Sequence, residues 1–364
     1  MGVYGCKLPF GKPNAKIKLY RQTLYIVPQT SMKDRKKDHI NQAFHARINA
    51  READVRFNYE PLLAGHASDH PNPFSFAGKT MHLPLWVSSM TGGTALAGTI
   101  NRNLARAVRE FGLGMGLGSC RILLDDDQHF ADFDMRPIIG DEAPFYANLG
   151  IAQLEHLIDN KATDKIEDIV RRLRADGLII HINPLQEAFQ PEGDMFTRPP
   201  LETLQAFLEQ TKLKVIVKEV GQGMGPESLR HLFQLPLQAI EFGALGGTNF
   251  TLLELSRHQN FDTSVFEPYA RIGHTAEDMT RTANKIIAEN ENLNCQQLII
   301  SGGISNVLDG YYLTQISRIP SVFGMGSALL KVASDEYATL QHYLQQVNKN
   351  YQLARSYLTI RKKE

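Results

Sequence analysis

The stretch LIIHINPLQE, residues 178–187, changes from apolar to polar within a few positions. Its first three residues form a short apolar run, which predicts a buried strand. Pro184 has no backbone donor, so the strand must end there and the chain must leave the sheet. Parallel α/β proteins keep their chemistry at such strand ends. A neutral imidazole, two amides and a carboxylate here could hold a metal-chelated anion, or could form an ordinary strand-end network. These groups belong to His181, Asn183, Gln186 and Glu187.

The composition is that of a soluble globular protein and argues against several other classes of protein. Of the 364 residues, 43% are hydrophobic and 21% are charged, which is typical of a soluble protein with a substantial core. The formal net charge of +0 gives no electrostatic argument for nucleic acid or a membrane surface as a partner. Three widely spaced cysteines form neither a zinc motif nor a disulfide framework, which indicates a reducing, cytoplasmic compartment. Residues 1–30 make a poor signal peptide, and no apolar run approaches the roughly 20 residues of a membrane span.

The change from apolar to polar recurs along most of the chain. Eight apolar runs, each followed by a helix or turn over roughly 250 residues, predict a (β/α)₈ TIM barrel of the α/β class. An open doubly wound sheet fits less well, because no G-x-G-x-x-G fingerprint follows the first strand and polar or glycine signals end nearly every strand. The predicted strands are 83–90, 113–119, 145–150, 178–183, 214–221, 239–243, 298–303 and 321–327.

We divide the chain into four segments. Residues 1–34 are an N-terminal extension of uncertain order, and residues 35–82 are a segment that contributes basic residues. The barrel occupies residues 83–335, and residues 336–364 are predicted to continue as a C-terminal helix. The cluster KDRKKDH, residues 33–39, is either a solvated helix start or a set of phosphate-binding side chains at the mouth of a site.

Glycine loops end the last two strands, at residues 301–304 and 324–329. Glycine lets backbone N–H groups approach a ligand, and the start of the following helix favours negative charge. Barrels of this kind frequently bind phosphate at these two loops, although the glycines could also serve tight turns alone. Lys218 lies inside an apolar run, so it needs either a counter-charge such as Glu219 or Glu241 or a bound cofactor.

Together these motifs resemble type 2 isopentenyl-diphosphate isomerase, a family of FMN-dependent barrels. The resemblance runs from about Arg35 to Val332. Its specific part is the basic cluster combined with the H-x-N-x-x-Q-E stretch, since the glycine loops would fit any FMN barrel. The chain departs from the family at Cys120, where Gln is common, and at His274, where Pro is usual. The other matching motifs are at residues 89–93, 118–121, 148–150, 217–221, 246–249, 301–303 and 327–329.

The resemblance implies an enzyme that interconverts isopentenyl and dimethylallyl diphosphate, with no net redox change but with reduced FMN, usually supplied through NADPH. It implies that Glu187 binds Mg²⁺, which bridges to the diphosphate, and that Gln186 and His181 are catalytic. It also implies a homotetramer or homo-octamer. The implied FMN-binding residues are Ser89, Met90, Thr91, Ser119, Asn148, Lys218, Thr248, Gly302, Gly303, Ala328 and Leu329. The implied substrate-binding residues are Arg35, Lys36, His39, Ser119, Arg121, His181, Asn183 and Gln186.

Two other functions stay open. An FMN-dependent oxidoreductase of the 2-hydroxy-acid oxidase type shares the barrel and its phosphate loops. Such enzymes keep a His and an Arg near the late glycine loops, and residues 299–305, IISGGIS, contain neither. A non-catalytic flavin- or phosphate-binding barrel is the other alternative, and it would not require Gln186 and Glu187 together.

Overall fold

The computed structural model describes residues 15–20, 23–28, 32–67, 72–89, 91–257, 262–290 and 292–362. The chain forms two compact units, Met1–Val55 and Arg56–Glu364. Arg35, Lys36 and His39 of the basic cluster are exposed on a helix of the first unit. The described elements of this unit are an antiparallel pair of strands, that helix and a 3₁₀ turn at Ala50–Glu52; the first three are β1 (Ala15–Tyr20), β2 (Thr23–Pro28) and α1 (Met32–Ala43).

A short hairpin closes one end of the second unit's core. Its two strands are joined at Ala77 and Gly78, which both have positive φ, as a tight two-residue turn requires. Phe76 and Met81 of the hairpin are buried in the cluster that fills the inside of the barrel. The short strands of this region are β3 (Phe57–Tyr59), β4 (Phe74–Phe76) and β5 (Lys79–Met81).

Eight parallel strands form a closed barrel, in chain order, with the last strand paired to the first. The predicted (β/α)₈ TIM barrel is therefore confirmed, and every predicted strand contributes to it. Its strands are almost wholly buried, as expected where helices cover the outside of a parallel sheet. They are β6 (Leu85–Val87), β7 (Gly114–Gly116), β8 (Phe145–Gly150), β9 (Gly177–Ile182), β10 (Lys214–Glu219), β11 (Ala239–Glu241), β12 (Leu298–Ser301) and β13 (Ser321–Met325).

The helices of the second unit pack their apolar faces on the barrel. The first of them begins after Thr94, whose hydroxyl caps the backbone of Ala97, and ends at Gly112, which has a φ of +62°. Among the described residues, no helix is both long and apolar enough to cross a membrane. The helices are α2 (Ala95–Phe111), α3 (Arg136–Ile139), α4 (Ile151–Asp159), α5 (Asp164–Arg172), α6 (Pro184–Phe189), α7 (Pro200–Gln210), α8 (Pro226–Gln234), α9 (Phe250–Arg257), α10 (Thr263–Ala270), α11 (Ala276–Glu289), α12 (Val307–Ile316), α13 (Ser327–Ala333) and α14 (Tyr337–Tyr357).

The C-terminal helix is shorter than the sequence predicts. It ends at Tyr357, and the chain continues as a strand, β14 (Leu358–Ile360), that pairs antiparallel with β3. Thr359 and Ile360 are β-branched and favour an extended backbone. The prediction of helix to residue 364 failed here because the strand depends on a partner about three hundred residues earlier in the chain.

The inside of the barrel has two levels of different chemistry. Side chains two positions apart on a strand share a face, and on seven of the eight strands that face changes from an apolar residue to a polar residue or glycine, while β7 has glycine at both positions. On β10, for example, Ile216 precedes Lys218. The lower level, which we call the apolar layer, consists of Trp86, Tyr146, Ile179, Ile216, Ala239, Ile299 and Val322. The upper level, the polar layer, consists of Ser88, Asn148, His181, Lys218, Glu241, Ser301 and Gly324.

Candidate active site

A pocket opens at the carboxyl ends of the strands, directly above the polar layer. Its floor includes Ser88, Lys218, Glu241 and Ser301, and its walls are the loops that follow β10 to β13. We call it the floor pocket. More than half of the predicted cofactor residues line it, namely Ser89, Lys218, Thr248, Gly302, Gly303 and Ala328.

Glycines keep this pocket open. Gly302 has a φ of +90°, and a Cβ atom there would collide with the backbone of Ala244 on the neighbouring loop. At Gly324 a Cβ atom would lie 2.6 Å from the Ser88 hydroxyl oxygen. Ala328 lies in the first turn of α13, where backbone N–H groups have no partner within the helix. The pocket wall thus presents backbone donors and little side-chain bulk.

Two buried charges lie on neighbouring strands under the pocket. Lys218 is 6% exposed and Glu241 is fully buried, and the two residues are paired in the register of β10 and β11. The Lys218 ammonium group donates a hydrogen bond to the Glu219 carbonyl oxygen over 2.9 Å. Burial raises the pKa of Glu241, and the positive charge of Lys218 opposes that rise. Neither oxygen of the Glu241 carboxyl group accepts a close hydrogen bond among the described residues, although the hydroxyls of Ser88 and Ser301 lie near enough to oppose the rise in its pKa as well.

His181 is held as a neutral imidazole beside this pair. The Asn148 amide donates to the Leu117 carbonyl oxygen over 3.0 Å, so its own oxygen faces His181 Nδ1 at 2.7 Å. Nδ1 therefore carries the proton and Nε2 is left as an acceptor. Burial, and then the charge of Lys218, lowers the pKa of His181 to about 3. The imidazole is uncharged near neutral pH, as the sequence analysis supposed.

The predicted polar cluster after β9 comes together on the first turn of α6. Pro184 occupies the start of this helix, where a missing N–H has no cost. The Asn183 amide donates to Gln186 Oε1 over 3.2 Å and to Glu187 Oε1 over 2.8 Å. The backbone N–H of Asp194 donates to Glu187 Oε2 over 2.8 Å. Each carboxylate oxygen of Glu187 is thereby oriented and keeps a lone pair free.

The described residues around Glu187 do not supply enough ligands to complete a metal site. Among the described residues, no three His, Cys, Asp or Glu side chains converge as a metal-binding group. Magnesium is commonly held by one or two carboxylates together with waters and substrate phosphates. A divalent ion at Glu187 would therefore depend on an oxyanion ligand for part of its coordination.

A second pocket adjoins the floor pocket and shares Val220, Gly221 and Phe250 with it. Asn183 and Gln186 line this pocket, which we call the side pocket, and more of its exposed lining is apolar than polar. Its apolar lining residues include Leu185, Met224 and Ile272, and His274 borders it as well.

Several predicted residues lie elsewhere. Arg121 lines neither pocket and pairs with Asp194 at 2.5 Å. Ser119 is exposed and accepts a hydrogen bond from the Arg121 backbone N–H at 3.4 Å, and it lines neither pocket. The side chain of Leu329 is buried in the core, so only its backbone could meet a ligand. Thr91 borders a separate small cavity beside β7.

Two predictions fall where the structure does not test them. Met90 lies outside the described residues. Arg35, Lys36 and His39 lie in the first unit, which is described by itself.

Two residues of the site were not predicted from the sequence. Glu241 was considered only as a salt-bridge partner of Lys218, although a charged residue within an apolar strand is the same signal that singled out Lys218. Asp194 was missed entirely. It lies in the irregular segment 190–199, where no periodicity marks it, and it meets Arg121 and Glu187 only in the folded chain.

Comparison with known proteins places the chain in a family. No family model matches it. The isopentenyl-diphosphate delta-isomerase of Rickettsia typhi is 31% identical over 84% of this chain and 87% of that protein. The chain belongs to the isopentenyl-diphosphate delta-isomerase family. The enzyme of the same name from Rickettsia prowazekii is 30% identical over 82% of this chain and 86% of that protein.

Solved structures with the same barrel fold are much less similar to this chain in sequence than these delta-isomerases are. A mutant flavocytochrome b2 with benzoylformate has a TM-score of 0.56 and 13% identity, covering 82% of this chain and 71% of that one. A mandelate oxidase mutant with the monooxide FMN adduct has a TM-score of 0.51 and 12% identity, covering 81% of each chain. At this level of identity the likeness extends to the fold alone.

Proposed function

We propose that the protein is the type 2, FMN-dependent form of isopentenyl-diphosphate isomerase, with Mg²⁺ at Glu187 and NADPH as the source of electrons for the flavin. It would act in the cytoplasm on isopentenyl and dimethylallyl diphosphate, as a homotetramer or homo-octamer. The observation that carries this proposal is the pair of adjoining pockets. The floor pocket has the charges and glycine loops that suit a flavin, and the side pocket is largely apolar and begins at Asn183 and Gln186.

The floor pocket fits FMN in its chemistry. The hydroxyls of Ser88 and Ser89 and the Glu241 carboxylate are buried without hydrogen-bond partners among the described residues, and an unpaired buried polar group is costly. A flat ligand with a polar edge would supply partners. Lys218 would contribute a positive charge to that edge. The loops at Thr248 and Gly302 and the first turn of α13 would hold the phosphate. The mandelate oxidase of the same fold carries an FMN adduct, which agrees with this use of the barrel.

The residues around the side pocket would bind and orient the substrate. Asn183, His181 and Arg121 would hold the diphosphate, and Glu187 would hold Mg²⁺. Anchoring this charged end places the five-carbon tail against the shared wall of Val220 and Phe250, so remote binding energy positions the double bond. When bound, reduced flavin supplies the proton-exchanging group for double-bond migration. Gln186 lines the pocket and would orient the alkene, while the apolar wall excludes water.

The proposal includes further points that follow from the same family resemblance. That Arg35, Lys36 and His39 bind the diphosphate stays a prediction. Segment boundaries after residues 34, 82 and 335 remain predictions. Neither nucleic acid nor a membrane is a proposed partner, since the chain carries a formal net charge of +0.

The test compares Glu187→Gln with wild type. The wild-type protein, supplied anaerobically with FMN, NADPH and Mg²⁺, should convert isopentenyl diphosphate to its isomer. Glu187→Gln should lower this turnover by about 100-fold or more, because a neutral amide is a poor Mg²⁺ ligand, and should leave the yellow flavin bound.

Glu192→Gln is the matched control. Glu192 follows α6 on an exposed loop and pairs with Arg257, so its loss should leave turnover unchanged. Unaltered turnover in Glu187→Gln would contradict the assignment of the Mg²⁺ site to Glu187, and a wild-type protein without turnover would contradict the isomerase proposal. Oxidation of 2-hydroxy acids by the flavin-loaded protein, without isomerisation, would instead favour the oxidoreductase alternative.

A further inference from the structure

We propose that Asp194 is an exchangeable counter-ion of Arg121. Without metal its carboxylate pairs with the Arg121 guanidinium group, and it releases that group when Mg²⁺ binds near Glu187. Metal binding and diphosphate binding would then be coupled through this one carboxylate. The inference rests on the proposed function. It assigns to Asp194 control over whether the positive charge of Arg121 is available to the diphosphate.

Asp194 joins three elements of the site. Its Oδ2 accepts hydrogen bonds from Arg121 Nη1 at 2.5 Å and from Gln153 Nε2 at 2.8 Å. Its backbone N–H donates to Glu187 Oε2 at 2.8 Å. Gln153 in turn lies beside Gly150, where a Cβ atom would also be 2.9 Å from His181 Nε2. One side chain thus links the predicted arginine to the neighbourhood of the histidine, while its backbone holds the predicted metal ligand.

The charges that meet here suit a metal better than a free diphosphate. Arg121 contributes one positive charge, and Asp194 and Glu187 contribute one negative charge each. His181 is neutral near pH 7, because burial and Lys218 lower its pKa. A diphosphate approaching without metal would meet an arginine that is already paired and two carboxylates that repel it. A Mg²⁺ ion beside Glu187 would attract Asp194 and leave the guanidinium group free for the anion.

The ion pair between Arg121 and Asp194 is weak enough to dissociate when a stronger partner binds. The side chains of Arg121 and Asp194 are 53% and 37% exposed, and exposed pairs of this kind are weak. Arg121 is held through a single nitrogen, so Asp194 restricts its orientation only partly. We therefore expect the charge of Asp194 to matter more for anion binding than its effect in positioning Arg121.

The segment that carries Asp194 is held in place independently of its carboxylate. A Cβ atom on Gly193 would collide with the backbone oxygen of Glu187, so the two stretches of backbone are in close contact. The N–H donated to Glu187 is a backbone group and is retained in Asp194→Asn. Glu155, two residues after Gln153 in α4, accepts hydrogen bonds from Thr197 at the far end of the segment. Asp194→Asn should therefore remove a charge without moving the loop.

The experiment measures binding of inorganic pyrophosphate to the FMN-loaded protein by calorimetry, with EDTA and with saturating Mg²⁺. Without metal, Asp194→Asn should bind pyrophosphate about 3- to 10-fold more tightly than wild type, because Arg121 is unpaired and one repulsive charge is gone. With Mg²⁺ the two proteins should agree within about 2-fold, so the coupling between metal and pyrophosphate falls in the variant.

Glu192→Gln is again the matched control, because it removes one negative charge two residues from Asp194, from a carboxylate that pairs with Arg257. It should leave metal-free binding unchanged. Equal or weaker metal-free binding in Asp194→Asn, or the same gain in Glu192→Gln, would overturn the inference.

Arg121→Gln and Glu187→Gln separate this inference from the function on which it rests. Both should weaken pyrophosphate binding in Mg²⁺. If neither does, the proposed diphosphate site itself is wrong, and the role of Asp194 falls with it. If both weaken binding while Asp194→Asn matches wild type without metal, only the counter-ion role is excluded.

Discussion

The apolar and polar layers of the barrel are formed by the same strands but have different roles. In the apolar layer Trp86 packs against Tyr146 and Phe76, with ring centroids 6.0 and 6.3 Å apart. In the polar layer, two residues further along each strand, Lys218 and Glu241 are buried under an open pocket. Both layers contain buried polar atoms without a hydrogen-bond partner among the described residues, but those of the lower layer are enclosed by aromatic and aliphatic side chains, whereas those of the upper layer lie under an open pocket. The difference indicates that stability comes from the first and ligand binding from the second.

Trp86→Ala tests the apolar layer and should have the largest effect. Trp86 is fully buried, and we expect the truncation to lower the free energy of unfolding by about 3–5 kcal/mol. Urea denaturation measures this loss. FMN affinity, measured where the variant is still folded, should change little.

Trp86→Phe is the matched control for that variant. It keeps an aromatic ring and removes an indole N–H that has no partner among the described residues, so its cost should be much smaller. A Trp86→Ala protein of normal stability that had lost flavin would contradict the division between the layers.

Lys218→Met tests the polar layer, where we expect the main loss in ligand binding. FMN affinity should fall about 10- to 100-fold, the value of a hydrogen bond to a charged group, as measured by flavin fluorescence titration. Burial already raises the pKa of Glu241, and loss of Lys218 should raise it further. Since a raised folded-state pKa gives stability at low pH that is lost as pH rises, the variant should be least stable in alkaline buffer.

Lys214→Met provides the control for this strand. Lys214 is exposed at the opposite end of β10, away from both pockets. Its loss should leave flavin affinity unchanged. Equal losses in the two lysine variants would show that general charge, and not the polar layer, attracts the cofactor.

His181→Gln should have the smallest effect, seen only in acid. The folded-state pKa of His181 is about 3, below the ordinary value of 6.5, so the unfolded chain takes up a proton first as pH falls. Wild-type stability contributed by this residue is present above about pH 6.5 and is lost as pH falls toward 3. The variant should lose about 1–2 kcal/mol less than wild type between pH 6.5 and 4.5, allowing for partial exposure of the ring. Identical acid profiles would exclude a buried neutral histidine.

Much of the site could be predicted from the sequence, because polar residues or glycines follow the apolar run of nearly every strand. Lys218 stands out as a charge within an apolar run, and the four polar residues after β9 are close in sequence as well as in space. Asp194 could not be found this way. Its partners Arg121 and Gln153 lie on other segments of the chain, and no local pattern records which carboxylate meets which arginine.

The amino-acid sequence by itself determined the barrel, since alternating apolar runs and helical stretches are local patterns that recur in order along the chain. It also determined that polar groups gather at the carboxyl ends of the strands. Only the tertiary structure decided that Glu241 lies beside Lys218, that Asp194 pairs with Arg121, and that residues 358–360 leave the helix to join β3. These three outcomes depend on contacts between segments distant in sequence, where packing and charge outweigh local preference.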